Sequence, residues 1–151
     1  MALRRVLLPA PVPLVRPASP QDAEALARVL ALLGHPGSAD EVRSRLWASP
    51  PWRSVFVAEL ALEIVGAAVV EAAHPLHRPG REAVLTALAV DPDCRHRGVG
   101  RALVATAVAW ARREKCHGLQ VRVSLLRDDA HGFFRAIGFE ETHRTFDWSL
   151  G

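Results

Sequence analysis

The chain has 151 residues, of which 50% are hydrophobic and 23% are charged, and its formal net charge is +3. These values predict a globular protein with a core of its own and exclude an intrinsically disordered chain. Lys115 is the single lysine, so the positive charge is almost entirely arginine, and we interpret it as a solvated surface rather than a nucleic-acid interface. Two cysteines provide no disulfide framework, and no apolar run reaches the roughly 20 residues of a membrane span. We therefore expect a cytoplasmic protein that contacts neither nucleic acid nor membrane.

The N-terminal segment MALRRVLLPAPVPLVRP resembles a secretory signal in its basic start and apolar composition. Prolines interrupt the apolar run, and a cleavage site between small residues is lacking, so we do not interpret it as a signal. We predict a single domain over residues 1–151, in which residues 1–12 form a flexible extension.

The first elements of the chain are a strand at residues 13–18 and two helices. Ser19 is predicted to cap the first helix, and Gly34 to end it. Ser38 and Glu41 have the spacing of a capping box and predict the start of the second helix.

The remaining elements alternate between strands and helices. They are a hairpin at 54–59 and 63–73, a central strand at 82–90, a helix at about 100–114, a strand at 119–125, a short helix ending at Gly138, and a last strand at 142–150. The strand at 82–90 is almost continuously apolar, as expected where helices cover both faces of a sheet. This order predicts an α/β fold with a mixed sheet of six to seven strands and helices on both faces.

The segment RHRGVGR follows the central strand and opens the long helix. The free N–H groups and the positive dipole at a helix N-terminus favour an anion. Gly98 and Gly100 allow the backbone to approach a phosphate closely, and Arg95, Arg97 and Arg101 add positive charge. These residues predict a phosphate or pyrophosphate site.

Two common phosphate motifs do not fit this segment. A dinucleotide fingerprint needs a third glycine where Leu103 stands, and a P-loop needs a lysine that the chain has only at the far end of the helix. The pairs Cys94/His96 and Cys116/His117 lack the ligand spacing of a zinc site, so we expect no metal.

The segments LAVDP and RHRGVG instead resemble the acetyl-CoA motif of the GCN5-related N-acetyltransferase (GNAT) superfamily. VRPASPQDAEALARVL is similar to the opening strand and helix of that family, and AHGFFRAIGFEE to its late helix. The resemblance covers nearly the whole chain and implies the acyl-CoA N-acyltransferase fold, with acetyl-CoA as cosubstrate and a sheet that splays open to hold it.

The resemblance also implies which residues bind the cofactor. Leu88, Ala89 and Val90 would offer backbone groups to the pantetheine arm, and an N–H near Leu88 or Ala89 would stabilise the carbonyl oxygen. The remaining cofactor-binding positions would wrap the diphosphate, begin the helix beneath it, or lie near the thioester; they are Arg95, His96, Arg97, Gly98, Val99, Gly100, Arg101, Ala102 and Phe134.

Several positions depart from the family pattern. Phe134 stands where many members have a tyrosine that protonates the departing thiolate, and Arg127 replaces a common asparagine. The acidic residue common in the central strand would fall at Val84, with Glu82 two residues earlier on the same face. His96 replaces a usual glycine, which we expect to be tolerated if its φ stays negative.

The missing tyrosine predicts a slower enzyme rather than an inactive one. Loss of a general acid costs up to about 10²–10⁴-fold in rate, whereas an amine that stays protonated cannot attack at all. Glu82 is our first candidate for the base, followed by Glu71, His74 and His77. His131 is the titratable side chain that could partly replace the tyrosine.

These inferences predict an acetyl-CoA-dependent N-acetyltransferase whose acceptor, a primary amine on a small molecule or a peptide, attacks directly in a ternary complex. The alternative, suggested by Phe134 and Arg127, is a non-catalytic protein that binds or senses acyl-CoA. Trp47 and Trp52 are candidates for acceptor contacts. Dimerisation through the final strand is left open.

Overall fold

A computed structural model of the chain describes residues 10–34, 36–123, 125 and 127–151. The predicted N-terminal extension lies outside these residues except for its last three positions. The described chain divides into two compact units, one that ends at Val121 and one over Arg122–Gly151, and each is described by itself. The single domain therefore stays a prediction.

The first unit is built on a five-stranded sheet with strand order β1-β2-β3-β4-β5. Its strands are β1 (Leu14–Pro17), β2 (Arg53–Leu60), β3 (Glu63–Ala73), β4 (Arg81–Val90) and β5 (Cys116–Val121). Neighbours from β1 to β4 are antiparallel, whereas β4 and β5 are parallel. The sheet is mixed, as predicted, but the predicted count of six to seven strands is wrong for the described chain.

Three α-helices belong to the first unit, and one to the second. They are α1 (Ala23–Leu30), with short 3-10 helices at Pro20–Asp22 and Ala31–Leu33 on either side, α2 (Ala39–Trp47), α3 (Val99–Arg113) and α4 (Asp128–Ala136). The Ser38 hydroxyl accepts a hydrogen bond of 3.1 Å from the Glu41 N–H, which confirms the predicted cap of α2. Gly34 follows α1 and the second 3-10 helix with φ of 86°, as predicted. No helix among the described residues is long and apolar enough to cross a membrane.

Helices cover both faces of the sheet, as predicted. On one face, Leu26 of α1 and Val42 of α2 pack in one buried cluster with Ala67 of β3. Gly66, the preceding residue, lies on the opposite face because side chains alternate along a strand. A Cβ at Gly66 would lie 2.9 Å from Val99 Cγ1, so α3 packs on that face.

The hairpin between β2 and β3 turns through two apolar residues, Ala61 and Leu62. Both have positive φ, 50° and 69°, and this conformation at both central positions is that of a type I′ turn. Such turns match the right-handed twist of the flanking strands, so the turn forms without the glycine or asparagine that usually marks it.

The second half of the chain departs from the predicted elements in three places. β5 starts three residues earlier than predicted and ends at Val121, and positions 124 and 126 lie outside the described residues. Helix α3 starts at Val99 instead of Gly100. The predicted last strand at 142–150 is absent from the described chain, because a strand needs a partner and no ladder includes these residues.

An arginine network connects β1, β2 and the start of the first helix. The Arg16 guanidinium donates two hydrogen bonds of 2.8 Å to Asp22 and one of 2.9 Å to Glu59. The Ser19 N–H also donates to Asp22, at 2.8 Å. The hydrogen bonds from Arg16, aided by Ser19, outweigh burial and lower the pKa of Asp22 to about 2.

Candidate active site

Strands β4 and β5 separate halfway along β4. Their parallel pairing runs from Arg81 opposite Cys116 to Leu85 opposite Val121, where β5 ends. β4 continues to Val90, and in the described chain its residues 87–90 pair only with β3. One edge of this half of β4 therefore leaves backbone N–H and C=O groups open to another extended partner.

A β-bulge marks the point where the two strands separate. Val70 lies opposite Leu85 and Val69 opposite Ala87, so Thr86 is the extra residue of β4. The Thr86 hydroxyl donates a hydrogen bond of 3.3 Å to the Val69 carbonyl. Bulges bend a strand and redirect its side chains, and they are frequent beside active sites.

The open edge of β4 leads directly into the predicted phosphate loop. The Asp91 N–H donates to the Val65 carbonyl at 2.7 Å, and the Asp91 carbonyl accepts from the Cys94 N–H at 2.9 Å. A short 3-10 helix at Pro92–Cys94 then brings the chain to the loop at residues 95–98. The sheet thus fixes where the loop starts.

The loop contains two residues in the left-handed conformation, His96 with φ of 62° and Gly98 with φ of 80°. The condition under which we expected His96 to be tolerated, a negative φ, is therefore not met. The backbone keeps the conformation that suits glycine, and a histidine occupies it at a steric cost.

The start of α3 presents backbone N–H groups to this loop. The Ala102 N–H donates to the Gly98 carbonyl at 3.0 Å, and it is the first amide of the helix with an acceptor one turn earlier. The amides of Val99, Gly100 and Arg101 precede that bond and have no acceptor within the helix. They can serve as the anion-binding donors that the sequence predicts, and this role stays a prediction.

Gly66 is a residue of this site that the sequence analysis missed. Besides Val99, a Cβ there would approach Leu103 Cδ1 to 3.0 Å and the Ala89 carbonyl to 3.2 Å. The absent side chain lets the first turn of α3 lie close to β3 and β4. A glycine inside a strand is a known signal of close approach, and it could have identified this position.

The predicted cofactor-binding residues of the first unit lie together along this path. Ala89 and Val99 are buried, Leu88 and Val90 are half-buried, and the side chains of Arg95, His96, Arg97 and Arg101 are exposed around the loop. An extended edge, a loop and a helix N-terminus in succession can hold a long ligand that ends in a diphosphate. These residues fit coenzyme A.

Glu82 of β4 and Glu71 of β3, the first two candidates for the base, lie toward the other end of this strand pair. Side chains alternate along β3 from Ala67, so both carboxylates are on the face that α1 covers. Glu82 is opposite Ala73, and Glu71 is opposite Val84. Each is ion-paired: Glu82 Oε1 lies 2.7 Å from Arg78 Nη2, and Glu71 Oε1 lies 2.9 Å from Arg53 Nε.

The two glutamates differ in their distance from the open edge. Glu82 precedes Thr86 by four residues, roughly 13 Å along a strand, whereas the Val84 position opposite Glu71 precedes it by two, roughly 7 Å. His74 and His77 are exposed in the loop between β3 and β4. Glu82 stays our predicted base, and Glu71 is the carboxylate nearer to the opening.

The predicted acceptor residues are both exposed, and Trp52 lies beside this carboxylate end, where its carbonyl accepts a hydrogen bond of 2.8 Å from the Ala72 N–H. Trp47 ends α2, and the ring of Trp52 lies under the Arg53 guanidinium, 5.4 Å from its carbon to the ring centroid. Since Arg53 also holds Glu71, an aromatic ring, a cation and a carboxylate form one connected group. Trp110, by contrast, is buried in α3.

The second unit holds the two remaining predicted site residues on α4. Phe134 is buried, with its ring edge-on to Phe133 at 5.1 Å and to Phe139 at 5.3 Å between centroids. His131 is half-buried, and its N–H donates to the Arg127 carbonyl at 3.1 Å. The cofactor contact of Phe134 and the acid role of His131 stay predictions.

Neither cysteine is part of a metal cluster in the part of the chain that the structure describes. Both are free and half-buried. Burial raises the pKa of the Cys116 thiol, against the opposing effect of Arg81. This shift makes Cys116 a weaker nucleophile near neutral pH.

Comparisons with known proteins agree with this geometry. A model of the acetyltransferase (GNAT) family matches residues 26–139. An aminoglycoside N(6′)-acetyltransferase type 1 from Stenotrophomonas maltophilia is 37% identical over 142 residues, which cover 89% of this chain and 91% of the relative.

Solved structures have the same fold at lower identity. Aminoglycoside N-acetyltransferase AAC(6′)-Iy, in complex with CoA, is 18% identical with a TM-score of 0.83, and the match covers 95% of this chain and 98% of that one. A ribosomal-protein-alanine N-acetyltransferase from Brucella melitensis is 14% identical with a TM-score of 0.78, over 92% and 100% of the two chains. The predicted fold and the predicted enzyme class are confirmed. The chain therefore belongs to the GNAT family, and it is an acetyltransferase with acetyl-CoA as its cosubstrate.

Proposed function

We propose that this protein transfers the acetyl group of acetyl-CoA to a primary amine of an aminoglycoside, by direct attack in a ternary complex. The observation that carries the cofactor part of the proposal is the open edge of β4 at residues 86–90, which runs into the loop and the first amides of α3. The acceptor class is supported by the relative from Stenotrophomonas maltophilia, whose name gives an aminoglycoside as its substrate.

In this proposal the residues around the start of α3 bind the diphosphate. The amides of Val99, Gly100 and Arg101 donate to it, and the arginines of the loop neutralise its charge. The open edge of β4 aligns the pantetheine arm as an added strand would be aligned. Acetyl-CoA supplies an acetyl group activated as a thioester.

The same edge supports the transfer step. A backbone N–H of Leu88 or Ala89 donates to the carbonyl oxygen as negative charge develops there. A carboxylate, Glu82 or Glu71, removes the proton of the attacking amine as the C–N bond forms. The C–S bond breaks, and the thiolate leaves with little help because a thiol has a pKa near 8.5, well below the value of about 10 for an alkyl amine.

The carboxylate end of β4 offers two carboxylates that a polycationic acceptor could engage. Arg53 and Arg78 neutralise Glu71 and Glu82 in the structure, and all four side chains are partly exposed. An amino group of the acceptor can replace either guanidinium, which would place an ammonium group against a carboxylate. Trp52 provides exposed aromatic surface beside Arg53, the partner of Glu71, and Trp47 is exposed at the end of α2.

The proposal is tested with a panel of amines and detection of the released thiol. The panel contains aminoglycosides with and without a free 6′-amino group, a polyamine, amino acids and a short peptide. We expect the highest kcat/KM for aminoglycosides with the free 6′-amino group. Preference for another amine would correct the acceptor. Cofactor binding measured by calorimetry without thiol release from any amine would favour the sensing alternative.

Two variants identify the base in the same assay. Glu82→Gln and Glu71→Gln keep the size of the side chain but cannot accept the proton. Glu63→Gln is the matched control, because Glu63 is exposed at the other end of β3. The variant of the true base is expected to lose about 100-fold or more in kcat with an unchanged Kd for coenzyme A. Full activity in both variants would show that neither glutamate is the base.

A further inference from the structure

Arg53 is the cation that the structure places on Glu71, the candidate base nearer to the opening of β4. The two residues lie directly opposite each other in the ladder of β2 and β3, and the Arg53 Nε donates a hydrogen bond of 2.9 Å to Glu71 Oε1. The hydrogen bond from the Ala72 N–H to the Trp52 carbonyl keeps the two strands together at this point. The backbone therefore fixes Arg53 beside Glu71.

The pair of Arg53 and Glu71 lies where the cover of α1 and α2 ends. The neighbouring pair on the same face of the sheet, Val55 opposite Val69, is half-buried, and Val55 packs on the apolar cluster beneath the two helices. The side chains of Arg53 and Glu71 are 30% and 29% exposed. A ligand can therefore reach the carboxylate without unpacking the core.

Arg53 is held less firmly than two other partly buried arginines. Arg16 donates to two carboxylates, and Arg81 donates to both the carboxylate and the backbone carbonyl of Glu114. Within the described chain, the Arg53 side chain has a single hydrogen bond, and its guanidinium also lies over the Trp52 ring at 5.4 Å. A partly exposed ion pair contributes little to stability, and the ring can keep the guanidinium after the carboxylate has been taken.

We propose that Arg53 is a specificity-determining residue, which occupies the position of the acceptor amine at Glu71 and must be displaced by the acceptor. This inference rests on the proposed function, in which a carboxylate takes the proton of the amine. A guanidinium stays protonated and cannot attack a thioester, whereas the amine of a lysine can lose its proton and become a nucleophile. An arginine can therefore stand against the base of an acetyltransferase without becoming its substrate.

Arg78, the partner of Glu82, fits this role less well. It stands in the loop before β4, its side chain is 48% exposed, and it pairs with a carboxylate only four residues further along the chain. No aromatic ring lies under its guanidinium among the described contacts. Glu82 also lies farther from the open edge of β4 than Glu71 does, so an amine at Glu71 is nearer to the thioester.

The proposal is tested by exchanging Arg53 for an amine. In Arg53→Lys the introduced amine attacks the thioester of acetyl-CoA: the C–N bond forms, the C–S bond breaks, Glu71 takes the proton and coenzyme A leaves as the thiolate. Incubated with acetyl-CoA alone, this variant is expected to acquire an acetyl group at position 53, as measured by mass spectrometry of its peptides.

Arg43→Lys is the matched control, because Arg43 is also a partly exposed arginine in an ion pair, with Asp40 on α2. Acetylation at position 53 is expected to be about tenfold faster or more than acetylation at position 43, since an amine held in place reacts faster than a free one. Lys115 is present in both variants and gives the background rate of an exposed lysine.

Arg53→Gln gives a second readout, which a merely structural role of Arg53 would not produce. Because the competing cation is gone, the KM for an aminoglycoside with a free 6′-amino group is expected to fall by about threefold to fivefold, with an unchanged Kd for coenzyme A. Loss of a structural residue would instead raise the KM or lower kcat. Arg43→Gln is expected to leave the KM unchanged.

The proposal is overturned if Arg53→Lys is acetylated no faster than Arg43→Lys, if Arg78→Lys is acetylated in its place, or if Arg53→Gln raises the KM. Arg53→Lys keeps the positive charge and the ion pair, and circular dichroism checks that it is folded. Self-acetylation needs no external amine. An acceptor other than an aminoglycoside would therefore correct the proposed function and leave this test of Arg53 intact.

Discussion

Arg16 and the arginines of the loop before α3 illustrate two opposite uses of the same side chain. Arg16 donates to two carboxylates of its own chain, Asp22 and Glu59, both largely buried. Arg97 and Arg101 are exposed around the phosphate loop, and neither forms an ion pair with any described residue. The anions of Arg16 are built into the protein, and we propose that Arg97 and Arg101 bind the anion of a ligand.

The difference teaches that the surroundings of an arginine, more than its presence, distinguish a structural position from a binding one. A partly buried guanidinium needs a carboxylate because an uncompensated charge is costly away from water. An exposed guanidinium is solvated and has no such need. Arg16 should therefore affect stability, and the loop arginines should affect ligand binding.

The largest expected effect comes from removing Arg16. Arg16→Leu leaves Asp22 and Glu59 without a counter-charge, and the free energy of unfolding should fall by about 2–3 kcal/mol. Arg101→Leu is the matched control and should change it by less than about 0.5 kcal/mol. Denaturant unfolding measures both, and equal losses would contradict the distinction between the two groups.

The acid stability of the protein should reflect Asp22. The pKa of Asp22 is about 2 in the folded protein, compared with an ordinary value of 3.8. As the pH falls, this carboxylate is therefore protonated in the unfolded chain before it is protonated in the folded protein. The contribution of Asp22, roughly 2 kcal/mol, is fully present above about pH 4 and is lost between there and pH 2. Asp22→Asn should flatten this part of the pH profile of unfolding. A profile as steep as that of wild type would contradict the assignment to Asp22.

The loop arginines should affect the binding of coenzyme A rather than stability. Arg97→Leu combined with Arg101→Leu should raise the Kd for coenzyme A about tenfold, since each contact at an exposed site is worth up to roughly 1 kcal/mol. Arg113→Leu, at the other end of α3, is the control and should leave the Kd unchanged. Calorimetry at two salt concentrations should also show weaker binding at high salt for wild type. An unchanged Kd in the double variant would remove the loop arginines from the site.

The smallest expected effects are on stability, and they test the backbone conformation of the loop rather than its positive charge. His96→Gly removes a side chain from a left-handed position and should raise the free energy of unfolding by about 0.5 kcal/mol, because glycine's larger entropy loss offsets part of the relief. Gly98→Ala, where only the backbone conformation opposes a Cβ, should lower it by about 1 kcal/mol. Changes of the same sign in the two variants would show that the loop does not hold this conformation.

The sequence predicted well the elements whose signals are local. The cap at Ser38, the end of the α1 segment at Gly34 and the loop that precedes α3 depend on residues a few positions apart, and all three are present in the structure. Phosphate binding by that loop stays a prediction. The prediction of a final strand was wrong because pairing with a neighbouring strand is not a local signal. Alternation at 142–150 indicates a strand that is able to form, but not a neighbour with which it pairs.

The candidate site divides in the same way. The sequence by itself determined the loop, its arginines and the apolar strand before it, since these are contiguous in the chain. Only the tertiary structure decided that one edge of β4 has no described strand beside it beyond Leu85, that Gly66 admits α3, and that Glu82 is held by Arg78. Strand pairing, close packing and ion pairs join residues that are distant in the chain or depend on how loops fold back, and no local pattern specifies them.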